Sequence, residues 1–231
     1  MGNLFVKERL VDPYIVTIDS TLIRAKGHLR HKSSMIKGVV PCSGIDIDAR
    51  WGFNSATPSI GYLVINLHIT ARTGSLIVPL SADFTQADIQ DNQIYPTITC
   101  SSSLPQGVRY MAAADSGYDD HKLYNLSTDR GFELVSPVSE IYNNTSSDRL
   151  RLIEFYESEL GKAIHCWRGI SVEPLIEHIK DVFKIDPLPI RGYQKAAGLV
   201  LLSVLIYQII VYYNCKTRKE NPKAIKHMLG S

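Results

Sequence analysis

Three carboxylates stand where a chain can put reactive groups. Asp19 falls near the end of the β-branched run Tyr14-Ile-Val-Thr-Ile-Asp-Ser20. Asp115 follows the small apolar run Val108-Arg-Tyr-Met-Ala-Ala-Ala, just before Ser116-Gly117 breaks it. Glu173 lies near Ser171 and Pro174, at an expected helix start. Carboxylates that converge repel one another unless cations sit between them, so such a set implies a hard divalent metal. Mg²⁺ keeps most of its waters and needs few protein oxygens. Two such ions about 4 Å apart can activate a water and stabilise the leaving oxygen of a phosphoryl transfer. The spacing does not itself force the three to converge, and an Asp before a turn is also a common N-cap.

Other polar groups have simpler readings beside their reactive ones. From Thr21 to Ile45 the chain carries Arg24, Lys26, Arg30, Lys32 and Lys37 and no acid, a basic loop directly after the Asp19 strand. His28, His31 and Cys42 within it make a loose metal set or an exposed loop. Asp46-Ile-Asp48 could hold a metal-bound sugar nucleotide, as in a membrane-anchored glycosyltransferase, or mark a strand edge. Asp83, Asp88 and Asp91 read as a solvated helix face that could sit beside the site. Glu177 competes with Glu173 on one helix face, Asp119 and Asp120 read as caps, and His68 reads as a core histidine.

The elements that must position these groups follow from periodicity. Strands are expected at 14–20, 46–53, 61–70, 75–80, 108–115 and 132–138, with the second and third joined as a hairpin. Weak helical character covers 83–98, broken at Pro96. Helices are expected at 119–129 and 148–162, and from Ser171, whose hydroxyl can cap the last of these. Leu175, Ile176, Ile179, Val182 and Phe183 give that helix an apolar stripe, with Glu173, Glu177 and Lys180 opposite. Strands in a meander followed by strand–helix alternation imply an α/β class with a mixed sheet.

The 231 residues suit one domain, read as a lead-in at 1–13, a body at 14–214 and a basic tail at 215–231. A net charge of +2 demands no polyanionic partner, so a nucleic-acid argument must rest on local clusters. Cys42, Cys100, Cys166 and Cys215 form no CxxC pair, which argues against structural zinc and fits a reducing compartment. The run Ala196–Tyr213 is uncharged and at the lower length limit of a membrane span; a buried core helix can look the same.

Val16-Thr-Ile-Asp-Ser-Thr21, Ala113-Ala-Asp-Ser-Gly-Tyr-Asp-Asp120 and Ile170-Ser-Val-Glu-Pro-Leu-Ile-Glu-His-Ile-Lys180 together resemble the three signature blocks of insertion-sequence DDE transposases. Asp48-Ala-Arg-Trp-Gly52, Gly61-Tyr-Leu-Val-Ile-Asn-Leu-His68 and Leu188-Pro-Ile-Arg-Gly192 support this, in order, from about Tyr14 to Asn214. The resemblance implies an RNase H-like catalytic domain whose Asp19, Asp115 and Glu173 hold two Mg²⁺, with Mn²⁺ as substitute. Such a domain nicks DNA at the element's ends, and the freed 3′-hydroxyl then attacks target DNA with no covalent enzyme intermediate. Asp115 would follow the fourth strand of that core. The implied partners are element-end and target DNA, with a homodimer allowed in the DNA complex and no membrane. The implied location is the cytoplasm, at the nucleoid, and Ala196–Tyr213 becomes a core helix.

Lys180, seven residues after Glu173, matches the family's lysine that contacts the transposon end. Arg168, Arg24, Lys26, Arg30 and Lys32, with the tail, are expected DNA contacts. The sequence departs from the family's Tyr-x₂-Arg-x₃-Glu-x₆-Lys pattern, with Cys166 and Gly169 at the Tyr and Arg positions. Only 18 residues precede Asp19, where related transposases carry a DNA-binding region. Truncation is therefore expected. A remnant that binds DNA without cleaving it is the second reading.

Overall fold

The computed structural model describes residues 1–27, 37, 44–54, 57–70, 76–113 except 101–103, 115–139 and 147–226; at 53–58, 65–70 and 168–173 at most the backbone is described. Six strands form one mixed sheet: β1 (Ile15–Arg24), β2 (Arg50–Asn54), β3 (Thr57–Thr70), β4 (Ile77–Gln86), β5 (Tyr110–Ala113) and β6 (Glu133–Val135). β1 lies at the centre. It pairs antiparallel with β3, from Val16 opposite Ile69 to Arg24 opposite Gly61, and parallel with β5, from Ile15 beside Tyr110 to Ile18 beside Ala113. β6 extends the sheet parallel to β5, while β4 and β2 follow one another along the far edge of β3.

The sequence explains this order. Val16, Thr17 and Ile18 are buried in succession, as a central strand covered on both faces requires, and β5 is buried at all four positions. Gly61 permits the close approach of β3 to β1, since a Cβ there would meet the Ile23 carbonyl at 2.1 Å. The expected hairpin forms from β2 and β3.

Among the described residues six helices surround the sheet: α1 (Gly2–Lys7), α2 (Asp91–Ile98), α3 (His121–Asp129), α4 (Ser147–Glu157), α5 (Glu159–Phe183) and α6 (Tyr193–Lys216), with a 3₁₀ turn at Ser116–Tyr118. Several differ from expectation for physical reasons. The polar lead-in contains α1, which buries Phe5 and sets Gly2 against the Leu80 backbone. β4 runs on to Gln86 because Asp83 and Phe84 pair with Ile65 and Val64, and sheet pairing overrides the weak helical pattern. The helix starts later, at Asp91, and tolerates Pro96 near its end. α5 is continuous for 25 residues, so Ser171, Glu173 and Pro174 are interior to it and not at a helix start; the cap is Ser158, whose Oγ accepts from the Gly161 N–H.

α6 packs along β4, where buried Gln208 donates to the carbonyls of Pro79 (2.6 Å) and Leu80 (3.2 Å). Its outer face leaves Leu202, Ile209 and Tyr213 about half exposed. By length and composition α6 could cross a membrane; 44% of its most apolar window is buried against the protein. The tail folds back as far as it is described: Ile225 is fully buried, Asn214 donates to the Pro222 carbonyl and Lys226 pairs with Asp181.

Candidate active site

Two of the expected acids come to adjacent positions because β1 and β5 run parallel. Asp19 directly follows Ile18, the last paired residue of β1 in that ladder, and Asp115 stands two residues beyond its partner Ala113. This is the carboxyl end of β5, where open α/β sheets bind ligands. Asp115 is exposed, and its Oδ1 accepts from the Gly117 N–H at 2.8 Å, so it also caps the 3₁₀ turn. Ser136, just past β6, donates to the Asp115 carbonyl at 3.0 Å and fixes the backbone there. Asp19 is half-buried, with Oδ1 accepting from the Ser20 N–H at 2.8 Å.

A further acid joins them. Asp91, the first residue of α2, accepts from the Ser20 hydroxyl at 2.7 Å. Burial pushes its carboxyl up to about 6 and the nearby Asp115 charge adds to the rise, against hydrogen bonds from Ser20 and Tyr118. The fully buried Tyr118 hydroxyl sits among the charges of Asp91, Asp115 and Asp19; burial first, and then these three, push its pKa well above the usual phenol value. Of the three charges, that of Asp91 bears on it most strongly. The sequence placed Asp91 only among acids that could lie beside the site; the Ser20–Asp91 bond spans 71 residues and leaves no local signal.

Glu173 is held in α5, two turns before Lys180 on one face of the helix, and its side chain lies outside the described residues. Lys180 is buried. Its Nζ donates to the Thr21 hydroxyl of β1 at 2.8 Å and to Glu177 at 2.9 Å, tying α5 to the strand that carries Asp19. Leu175, Ile176 and Ile179 are buried as the apolar stripe predicts. A cleft of about 500 Å³ opens beside Lys180, and its cations are paired: Arg24 with Asp186, Lys180 with Glu177, Lys184 with Asp181. Lys26 donates to the Pro189 carbonyl. Arg30, Lys32, His28, His31 and Cys42 lie outside the described residues, as do the side chains of Arg168 and His68.

The remaining acids have structural duties. Asp46 is buried and accepts from the Tyr62 hydroxyl (3.0 Å) and the Gly192 N–H (3.1 Å), while Asp48 accepts from the Tyr193 N–H (2.9 Å). Together they satisfy the start of α6, a use of Asp-Ile-Asp that needs no sugar nucleotide. Asp120 caps α3 as expected. Asp119 does not cap: it is buried against Arg149 of α4, with the Tyr124 hydroxyl and the Ser139 N–H as further donors. Burial works to raise the Asp119 pKa, but Arg149, Ser139 and Tyr124 together hold it below the usual value.

Asp19, Asp91 and Asp115 offer only hard oxygen donors. Burial first, and then the Asp115 charge, make ionisation of Asp91 costly where a divalent cation would relieve it, so the donor chemistry fits Mg²⁺. Among the described residues, no three His, Cys, Asp or Glu side chains stand close enough to hold an ion as they are.

A mixed sheet flanked by helices, with acids at the ends of neighbouring parallel strands, is a frame for hard-metal chemistry on anionic substrates. Residues 11–209 match the family described as Transposase DDE domain, and the chain belongs to that family. Members of that family are polynucleotidyl transferases of DNA transposition that use divalent metal, and the mixed sheet flanked by helices is the α/β arrangement expected from the sequence. No curated protein matches the chain. Among solved structures it is similar to the Mos1 transposase in a paired-end complex with the left transposon end, at 12% identity and a TM-score of 0.31. That likeness covers 89% of this chain and 58% of the other, so the chain spans little more than half of that relative's length.

Proposed function

We propose that this chain is the catalytic domain of an insertion-sequence transposase, cleaving DNA at the element's ends and joining the freed ends to target DNA. The family match across residues 11–209 carries the reading, supported by the parallel β1–β5 ladder, whose two strands lead into Asp19 and Asp115. Asp19, Asp115 and Glu173 are the carboxylates that would hold two Mg²⁺. When bound, the metal supplies a nucleophilic water at neutral pH and charge stabilisation for the leaving oxygen. The protein's own part is positional. β1 and β5 fix two acids on rigid backbone, and Lys180 clamps the Glu173 helix to β1 through Thr21. Water attacks the phosphorus at the element's end and the bond to the 3′-oxygen breaks, leaving a 3′-hydroxyl and a 5′-phosphate. That 3′-hydroxyl then attacks a target phosphorus, forming a new phosphodiester as the target's own 3′-oxygen leaves as a hydroxyl. Lys180, Arg24, Lys26, Arg30, Lys32 and Arg168 are proposed as phosphate contacts, which position DNA without reading its sequence.

One observation favours a second reading. Cys166 and Gly169 replace the tyrosine and arginine of the family pattern, which suits a domain that binds DNA without cutting it. The deciding experiment is nicking of a supercoiled plasmid carrying the element's ends, with Mn²⁺, by the wild type beside Asp115→Asn and Asp46→Ala. Nicking lost only in Asp115→Asn supports the enzyme. Salt-sensitive DNA binding without metal-dependent nicking in any of the three supports the remnant.

A further inference from the structure

The site holds one acid that the three-carboxylate reading leaves unused. Asp91 comes from α2, an element that carries none of the expected site residues, and reaches the carboxyl end of β1, where Ser20 donates to it at 2.7 Å. Ser20 is the residue after Asp19, so the bond holds Asp91 beside the first acid. The second acid lies close enough for its charge to bear on Asp91. The fully enclosed Tyr118 hydroxyl lies within electrostatic reach of Asp91, Asp115 and Asp19. Burying a carboxylate within reach of another acid's charge is costly, since burial and the neighbouring charge both disfavour its ionised form. The arrangement makes sense if a cation and its waters occupy the space between them, since Mg²⁺ retains several waters that need oriented acceptors.

We propose that Asp91 is a fourth carboxylate of the active site, oriented by Ser20, which accepts hydrogen bonds from the waters of the divalent cation held by Asp19 and Asp115. This rests on the metal-site reading above. Asp91 is thus a positioning residue: it acts on the metal through water. Groups that orient a metal's surroundings typically set its affinity by 10–100-fold.

The test is Mn²⁺ binding to the full chain with a short DNA duplex present, followed by the electron paramagnetic resonance of free Mn²⁺, together with water-proton relaxation of the bound ion. Asp91→Asn is expected to weaken binding about tenfold and to change the relaxation. It should not lower the melting temperature without metal. Ser20→Ala, which keeps the carboxylate and removes its donor, should shift both readouts in the same direction by less, and Asp91→Glu should recover part of the affinity. Asp115→Asn should abolish binding. Wild-type affinity and relaxation in Asp91→Asn, with binding lost in Asp115→Asn, would overturn the role of Asp91 and leave the metal site standing. Should Asp91→Asn not fold, unchanged readouts in Ser20→Ala overturn the proposal instead. No Mn²⁺ binding by the wild type sinks the metal site itself, and Asp91's part with it.

Discussion

Asp115 and Asp119 are four residues apart and live in opposite electrostatic worlds. Asp119 is buried but matched by the guanidinium of Arg149, the Tyr124 hydroxyl and the Ser139 N–H, and its pKa is held down. Asp115 is exposed at the end of a strand, and its charge helps push buried Asp91 up to about 6. One carboxylate fastens α4 to the turn after β5. The other stands in a neighbourhood where negative charge is crowded. On the proposed reading, the neighbours of that matched acid are the ones a cation would serve.

The largest effect should come from the crowded side. Asp115→Asn keeps a side chain able to accept from the Gly117 N–H, so the turn should survive and the melting temperature should change by no more than a few degrees. Metal-dependent nicking should fall on the order of 10³-fold, the scale of losing one group that stabilises developing charge. Equal nicking by Asp115→Asn and wild type would break the comparison at its root.

The matched side should show the larger effect on stability. Arg149→Ala leaves Asp119 charged, buried and short of its main partner, which costs about 3–5 kcal/mol by urea unfolding. Changing both, as Asp119→Asn with Arg149→Met, should recover only part of that, because Tyr124 and Ser139 still need an acceptor. Full recovery would mean the pair contributes little beyond avoiding its own breakage.

Stability should also depend on pH with opposite signs on the two sides. Asp91 carries a folded pKa of about 6 against an ordinary 3.8, so the folded protein holds that proton more tightly than the unfolded chain. Its contribution therefore falls as pH rises from about 4 to about 6 and stays low above that. For Asp119, whose folded pKa is lowered, the contribution is present above the ordinary value and is lost as pH falls through the folded one. Metal-free Asp91→Asn should then be more stable than wild type at pH 7.5, on the order of 1–3 kcal/mol, with the gain gone below pH 4. Urea denaturation across pH 4–8 reads this directly. A destabilised Asp91→Asn at pH 7.5 would show that Asp91 is a matched acid like Asp119.

How much of this the chain discloses in advance follows from range. The β-branched run before Asp19 and the small apolar run before Asp115 are local patterns, and both strands formed where their residues predict. The apolar stripe of α5 was legible for the same reason, while the helix's true length was not: Ser171 and Pro174 look like a start, yet the preceding residues are helix-compatible and the turn continues through them. The duties of Asp91, Asp119 and Asp46 rest on partners 71, 30 and 146 residues away. No window of sequence contains both members of such pairs, so an acid that grips an arginine and one that crowds another acid read alike.

Asp46 supplies the smallest and most discriminating case. Like Asp119 it is buried and spoken for, accepting from Tyr62 and from the backbone that opens α6, so it belongs on the matched side although its Asp-Ile-Asp spacing looks like a metal motif. Asp46→Ala removes a helix-start acceptor and strands a tyrosine hydroxyl, which should cost about 1–2 kcal/mol of stability. Mn²⁺ affinity and nicking should remain at wild-type levels once the protein is folded, because Asp46 serves Tyr62 and the Gly192 backbone at the start of α6. A loss of Mn²⁺ binding in Asp46→Ala equal to that in Asp115→Asn would mean that matching by hydrogen bonds does not separate the structural acids from the functional ones in this fold.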